Sequence, residues 1–131
     1  MSASFLLDAN ALIALLVTDH EHHHRAATWA ATADGLAVCP TVQGALVRFL
    51  VRCGESPSAA IDLVRALERS SRCDFWPDDL SYAEASLTGV TGHRQVTDAY
   101  LASLAVAHGA ILMTFDRALV AAHPRAAALI P

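Results

Sequence analysis

Two hydrophobic periods alternate along the chain. Short runs with apolar residues at consecutive positions, "SFLL" (Ser4 to Leu7), "LAVC" (Leu36 to Cys39), "CDFW" and "AILMTF", have the length and flanks of strands. Between them the apolar positions recur at helical spacing. "ANALIALL" (Ala9 to Leu16) predicts one amphipathic helix, and "DHEHHHRAATWAATA" a second that ends at Asp34-Gly35. Pro40 and Thr41 open a helix through "VQGALVRFLVRC" that Gly54 stops. In "SPSAAIDLVRALERS" Ser56 is the N-cap, Pro57 takes the first helical position, and Ile61, Leu63, Val64 and Leu67 form one stripe. "CDFW" is closed by Pro77, after which Asp78 and Asp79 suit the start of a helix, and Gly89 and Gly92 flank a loop. "QVTDAYLASLAVAHG" predicts a helix terminated at His108-Gly109, and the run from Arg117 is helical as far as Pro124.

Strands that alternate with helices pair in parallel through right-handed crossovers. "FLL" and "AILM" are apolar on both faces, as a sheet covered on both sides requires. The expected architecture is α/β: a three-layer α/β/α sandwich with a central parallel sheet, in a single domain over residues 1–131. No repeat, low-complexity tract or linker interrupts it.

Composition removes several chemistries. All nine basic residues are arginine, so a Walker-A loop, a Schiff-base lysine and the lysine-dependent phosphoaspartate folds are excluded. Guanidinium groups still match phosphate bidentately. Cys39, Cys53 and Cys73 are odd in number and lack C-x-x-C spacing, so reduced, buried thiols are expected rather than disulfides or a zinc site. No apolar run is long enough to span a bilayer and no basic stretch precedes "FLL", so a cytoplasmic protein without membrane association is expected. A hydrophobic content of 54% and a mean hydropathy of +0.38 are high for a domain of this size. They imply that a partner covers apolar surface, as a homodimer or larger assembly. In "VQGALVRFLVR" the residues Leu46, Val47, Phe49, Leu50 and Val51 exceed one core-facing stripe, so Val42 to Val51 is expected to contribute to that interface.

In sheets of this kind the functional crevice lies at the carboxyl ends of the strands. Asp8 ends the first strand, Asp116 follows the last, and Asp98 lies in the first turn of the helix before that strand. Each suits a bland role, Asp8 and Asp116 as helix caps and Asp98 as an anion at a helix N-terminus. On one edge together they would repel unless a hard divalent cation sat between them, which implies Mg²⁺ or Mn²⁺.

"LLDANALIALL", "VTDAYLASLA" and "ILMTFDRAL", with "DHEHHHRAATW" and "CPTVQGALVRFLVR" in the expected order, resemble PIN-domain ribonucleases, in particular VapC-type toxins. The resemblance covers essentially the whole chain. It implies a metal-dependent endoribonuclease that cuts single-stranded or loop RNA by metal-activated water and is neutralised by a cognate VapB-type antitoxin. Asp8, Asp98 and Asp116 match the family's acidic, metal-holding positions, and Asn10 and Thr114 its supporting polar residues. A further acid of the family is replaced by Gln43, which leaves one metal or two open and makes a catalytically degenerate RNA- or partner-binding PIN fold the alternative. With a net charge of −4, RNA binding should depend on local arginines such as Arg48, Arg52, Arg94 and Arg117. Arg48 and Arg52, four apart on one helix, could equally pair with acids of an antitoxin. "HEHHH" (His20 to His24) satisfies the H-E-x-x-H zinc-protease pattern, but it opens a predicted helix in a polar stretch rather than lying mid-helix.

Overall fold

In the computed structural model, which describes residues 3–131, five short parallel strands form one sheet in the order β3-β2-β1-β4-β5. They are β1 (Phe5–Leu7), β2 (Leu36–Val38), β3 (Cys73–Phe75), β4 (Ile111–Thr114) and β5 (Ala127–Leu129). The helices are α1 (Ala9–Leu16), α2 (His23–Thr32), α3 (Pro40–Arg52), α4 (Pro57–Arg69), α5 (Val96–Ala107) and α6 (Arg117–Ala122), with a 3₁₀ turn at His93–Gln95. Right-handed crossovers put α1 to α4 on one face and α5 and α6 on the other, the expected three-layer sandwich. No helix among the described residues is long and apolar enough to cross a membrane.

The chain builds outward from β1 through β2 to β3, then returns to the other side of β1 for β4 and β5. The strand order therefore reverses between β1 and β4, and an open parallel sheet has its crevice at such a switch point. Leu6, Leu7, Val38 and Leu112 are fully buried in the sheet, and Leu12, Val42, Leu46, Leu101 and Leu104 cover it from both sides. Burying each leucine contributes about 1.5–3 kcal/mol. The register Leu7↔Met113 continues for one more bond, Asp8 N–H to the Met113 carbonyl at 3.1 Å. That bond sets the first residue beyond β1 beside the end of β4.

Helix ends follow local chemistry. The Ser56 hydroxyl accepts from Ala59 N–H and Pro57 opens α4. At the end of α5, Gly109 adopts a left-handed φ of 68°, a conformation that favours glycine, and the chain turns from there into β4.

The structure corrects the sequence reading at several points. No helix starts at Asp78 and Asp79, because both carboxylates are taken by tertiary contacts. Asp78 accepts from the Thr41 hydroxyl at 2.8 Å, and Asp79 is 3.0 Å from His108 Nε2, whose ring stacks on Trp76. Residues 76–92 cross to α5 without helix or strand. α2 starts at His23, so Asp19 to His22 form turns rather than helix. β5 was hidden in an alanine-rich run of poor strand propensity; pairing with β4, from Leu112↔Ala127 to Thr114↔Leu129, overrides that preference. Cys39 and Cys73 are buried, with burial pushing their thiols up to about 12 and about 11, whereas Cys53 is exposed.

Candidate functional site

Asp8 is the N-cap of α1 and is only 5% exposed. One carboxylate oxygen accepts from Ala11 N–H at 2.7 Å, and the other accepts from the Thr114 hydroxyl at 2.5 Å. The same Thr114 oxygen accepts from Asp116 N–H at 3.0 Å. One fully buried hydroxyl at the end of β4 thus ties the first acid to the backbone of the third. Asp116 caps α6, its Oδ1 accepting from Ala118 N–H at 2.9 Å and Leu119 N–H at 3.1 Å. Asp98 is half-buried in the first turn of α5, where its carboxylate has no hydrogen-bond partner among the described residues. Asp98 and Asp116 face each other across a cavity of about 60 Å³ that Gln95, Val90 and His123 also line.

Asp8 and Asp98 are both held above the usual carboxylate range. Burial pushes Asp8 up to about 6 against the opposing hydrogen bonds from Thr114 and Ala11, and the charges of Asp98 and Asp116 raise it further. Asp98 is raised first by burial and then by Asp116, with His123 acting in the opposite direction. Among the described residues, no group of three or more histidine, cysteine or acidic side chains is placed, as it stands, to hold a metal ion. Asp98 and Asp116 line the cavity, and Asp8 stands behind it at the end of β1, joined to the Asp116 backbone through Thr114.

The other residues singled out in the sequence are spread more widely. Asn10, exposed in the first turn of α1, has its Oδ1 3.1 Å from His20 Nε2. Gln43 does not contact the cluster; its amide donates to Glu68 on α4 at 2.7 Å. Arg94 in the 3₁₀ turn and Arg117 beside Asp116 are exposed and near the site in sequence, and neither is ion-paired among the described residues. Arg48 and Arg52 line a different groove, with Ile13, Val47, Phe49 and Val51. At about 1.5 Å rise per residue, Arg52 stands about 18 Å along α3 from its site-side end. The H-E-x-x-H pattern makes no zinc site, since His20 lies in a turn outside α2 and bonds Asn10. His123 and Gln95, which line the acidic cavity, carried no spacing or motif that could have singled them out.

A PIN-domain family model matches residues 5–123. Ribonuclease VapC29 of Mycobacterium tuberculosis is 56% identical over 127 residues, 96% of each chain. Among solved structures, M. tuberculosis VapC20, described as a Sarcin-Ricin loop cleaving toxin, superposes with a TM-score of 0.64 at 19% identity, over 91% of this chain and 95% of that one. VapBC2 from Rickettsia felis, solved bound to a DNA fragment from its promoter, superposes with a TM-score of 0.59 at 13% identity, over 97% of this chain and 98% of the other. These two share the fold. The near-complete match to the family model, with the identity to VapC29, shows that this chain belongs to the PIN-domain family, among its VapC-type ribonucleases.

Proposed function

We propose that this chain is an Mg²⁺- or Mn²⁺-dependent endoribonuclease, the toxin of a toxin–antitoxin pair, with Asp8, Asp98 and Asp116 as its acidic centre. The observation that carries this reading is the gathering of the three acids at the β1/β4 switch point, Asp98 and Asp116 on one cavity and Asp8 tied to Asp116 through Thr114. The charges of Asp98 and Asp116 raise Asp8, and a divalent cation between the acids relieves such repulsion. The donors are all hard oxygens, which suit Mg²⁺ or Mn²⁺ better than zinc. An open cluster also fits Mg²⁺, which keeps several waters and takes one or two carboxylates plus substrate phosphate oxygens. When bound, the ion would supply an activated water and positive charge at the scissile phosphodiester.

The chain's own residues then have distinct tasks. Asp98 and the unbonded Asp116 Oδ2 present free oxygens to the cavity. Asp8 adds charge from the end of β1, held in place by Thr114 and Ala11. Thr114, bonded to both Asp8 and Asp116, sets the spacing between these acids. Gln43 is neutral and turned to Glu68, so three charges remain, and one ion is the expected stoichiometry. Arg94 and Arg117 would meet backbone phosphates on either side, which matters in a chain whose net charge is −4. VapC20 is described as cleaving the Sarcin-Ricin loop, which makes loop RNA the first substrate class to test here. The test is to incubate the purified protein with total bacterial RNA and sequence the RNA ends. Discrete new 5′ ends in Mn²⁺ and none in excess chelator are expected; RNA binding without new ends would favour the degenerate, binding-only alternative.

The antitoxin surface we assign to the outer side of α3. Val42 and Leu46 are fully buried, and Phe49 and Leu50 pack against the core, so these four residues serve the fold. Val47, Arg48, Val51 and Arg52 are left on the groove, with Val51 41% exposed. Apolar residues interleaved with arginines that are not ion-paired among the described residues match an amphipathic, acidic helix. Val47→Asp combined with Val51→Asp is expected to weaken antitoxin binding by about tenfold or more while circular dichroism stays native, because neither residue belongs to the core cluster. Unchanged affinity in the folded double variant would move the antitoxin surface elsewhere.

A further inference from the structure

The histidine-rich turn between α1 and α2 contributes no ligand to the acidic cluster, yet it is fastened around it. His23 Nδ1 is 2.8 Å from the Ala14 carbonyl of α1, its hydrogen-bond acceptor. The His22 ring stacks on Phe115, the residue before Asp116, with centroids 4.6 Å apart and planes at 20°. The Arg25 guanidinium lies 4.9 Å from the centre of the same Phe115 ring and donates to the Ile130 carbonyl at 2.9 Å. Pinned in this way to α1, to the end of β4 and to the end of β5, the turn delivers His20 to Asn10.

The bonding of His20 fixes which way Asn10 faces. His22 N–H donates to His20 Nδ1 at 3.0 Å. A backbone N–H can only donate, so Nδ1 is the bare acceptor and a neutral ring carries its proton on Nε2. Nε2–H requires an acceptor, and the atom 3.1 Å away is Asn10 Oδ1. The reversed amide would set N–H against N–H. Asn10 therefore has its Oδ1 turned to His20, and its Nδ2 has no partner among the described residues.

We propose that His20 is a positioning residue that holds the Asn10 amide with its N–H groups free, two residues after Asp8 in the first turn of α1, where they donate to a nonbridging phosphate oxygen of the RNA. This rests on the ribonuclease reading above. A phosphodiester approaching three carboxylates needs donors to offset repulsion, and an asparagine released from His20 can turn its carbonyl oxygen to the phosphate or swing away from it altogether. Fixing the rotamer before the substrate arrives removes that loss from the binding step.

The proposal is tested by steady-state cleavage in Mn²⁺ of an RNA oligonucleotide copied from the site mapped by RNA-end sequencing. His20→Ala is expected to raise KM about tenfold, the weight of one hydrogen bond to a charged group, with kcat changed less than about twofold. His20→Gln, whose amide N–H can reach the same oxygen, should recover most of the loss. Asn10→Ala should match His20→Ala, and the double variant should be no worse than either alone. Fully additive losses, or an unchanged KM in His20→Ala, would overturn the proposal. A wild-type protein that cuts no RNA would instead sink the ribonuclease reading. The ¹⁵N shifts of His20 give a readout independent of cleavage: the Nε2–H tautomer is expected, and the Nδ1–H tautomer would contradict the proposal.

Discussion

Asp98→Asn and Asp116→Asn are each expected to slow metal-dependent RNA cleavage by about 10³-fold or more while leaving the fold intact, a loss of about 4 kcal/mol of transition-state stabilisation. Both residues line the small cavity beside the switch point and carry carboxylate oxygens with no donor among the described residues, so these oxygens are the ones available to an ion. Converting either to an amide removes a charge and keeps the shape. Asparagine still caps α6 at position 116, because its carbonyl oxygen can accept from Ala118 and Leu119 N–H as Asp116 does. At position 98 no hydrogen bond is lost, and the repulsion that raises Asp98 is relieved. Cleavage rates, with circular dichroism as the control for folding, check this. Wild-type activity in either variant would remove that residue from the centre.

The second large effect concerns stability without metal. The folded protein holds the Asp8 proton up to about pH 6, whereas the unfolded chain releases it near 3.8, so folding takes up a proton between those values. Stability of the chelated protein should fall as pH rises from about 4 to about 6 and level off above, a total cost of about 2–3 kcal/mol at neutral pH. Asp8→Asn lacks this titration and keeps an acceptor for Ala11 N–H, but its amide nitrogen cannot accept from the Thr114 hydroxyl, a loss of about 1 kcal/mol or more at every pH. Relative to wild type it should therefore gain about 2–3 kcal/mol between about pH 4 and pH 6, from a starting point below wild type at pH 4. The difference in Tm between the two proteins should shift by about 10 °C across that range. Saturating Mn²⁺ should favour the wild type, since only it gains the full binding energy. Thermal melts in chelator across this pH range decide it, and parallel profiles for the two proteins would show that Asp8 is not held as a costly ion.

Much of this architecture is legible in the residues alone, and the failures have physical causes. β1, β4 and α5 are read correctly because each satisfies both pattern and punctuation: consecutive apolar positions for the strands, and a helical run closed by His108-Gly109 for α5. β5 fails because "AAL" has no strand signal of its own and forms only by pairing with β4. The false helix at Asp78 fails because a carboxylate suited to capping is also suited to Thr41 or His108, and contacts so distant in sequence leave no local trace. For the site, strand ends and helix starts suffice to locate Asp8, Asp98 and Asp116 on one edge. What they cannot give is Thr114 as the bridge between two of the acids, Gln43 turned away to Glu68, or His20 closing on Asn10. Each of these depends on a side-chain direction set by packing.

The central claim is that the three carboxylates hold one divalent ion together, and calorimetric titration with Mn²⁺ of the wild-type protein beside its Asp8→Asn, Asp98→Asn and Asp116→Asn variants tests it most directly. One site per chain is expected in the wild type, weakened by about tenfold or more in every variant. Equal Mn²⁺ affinity across all four proteins would contradict the account.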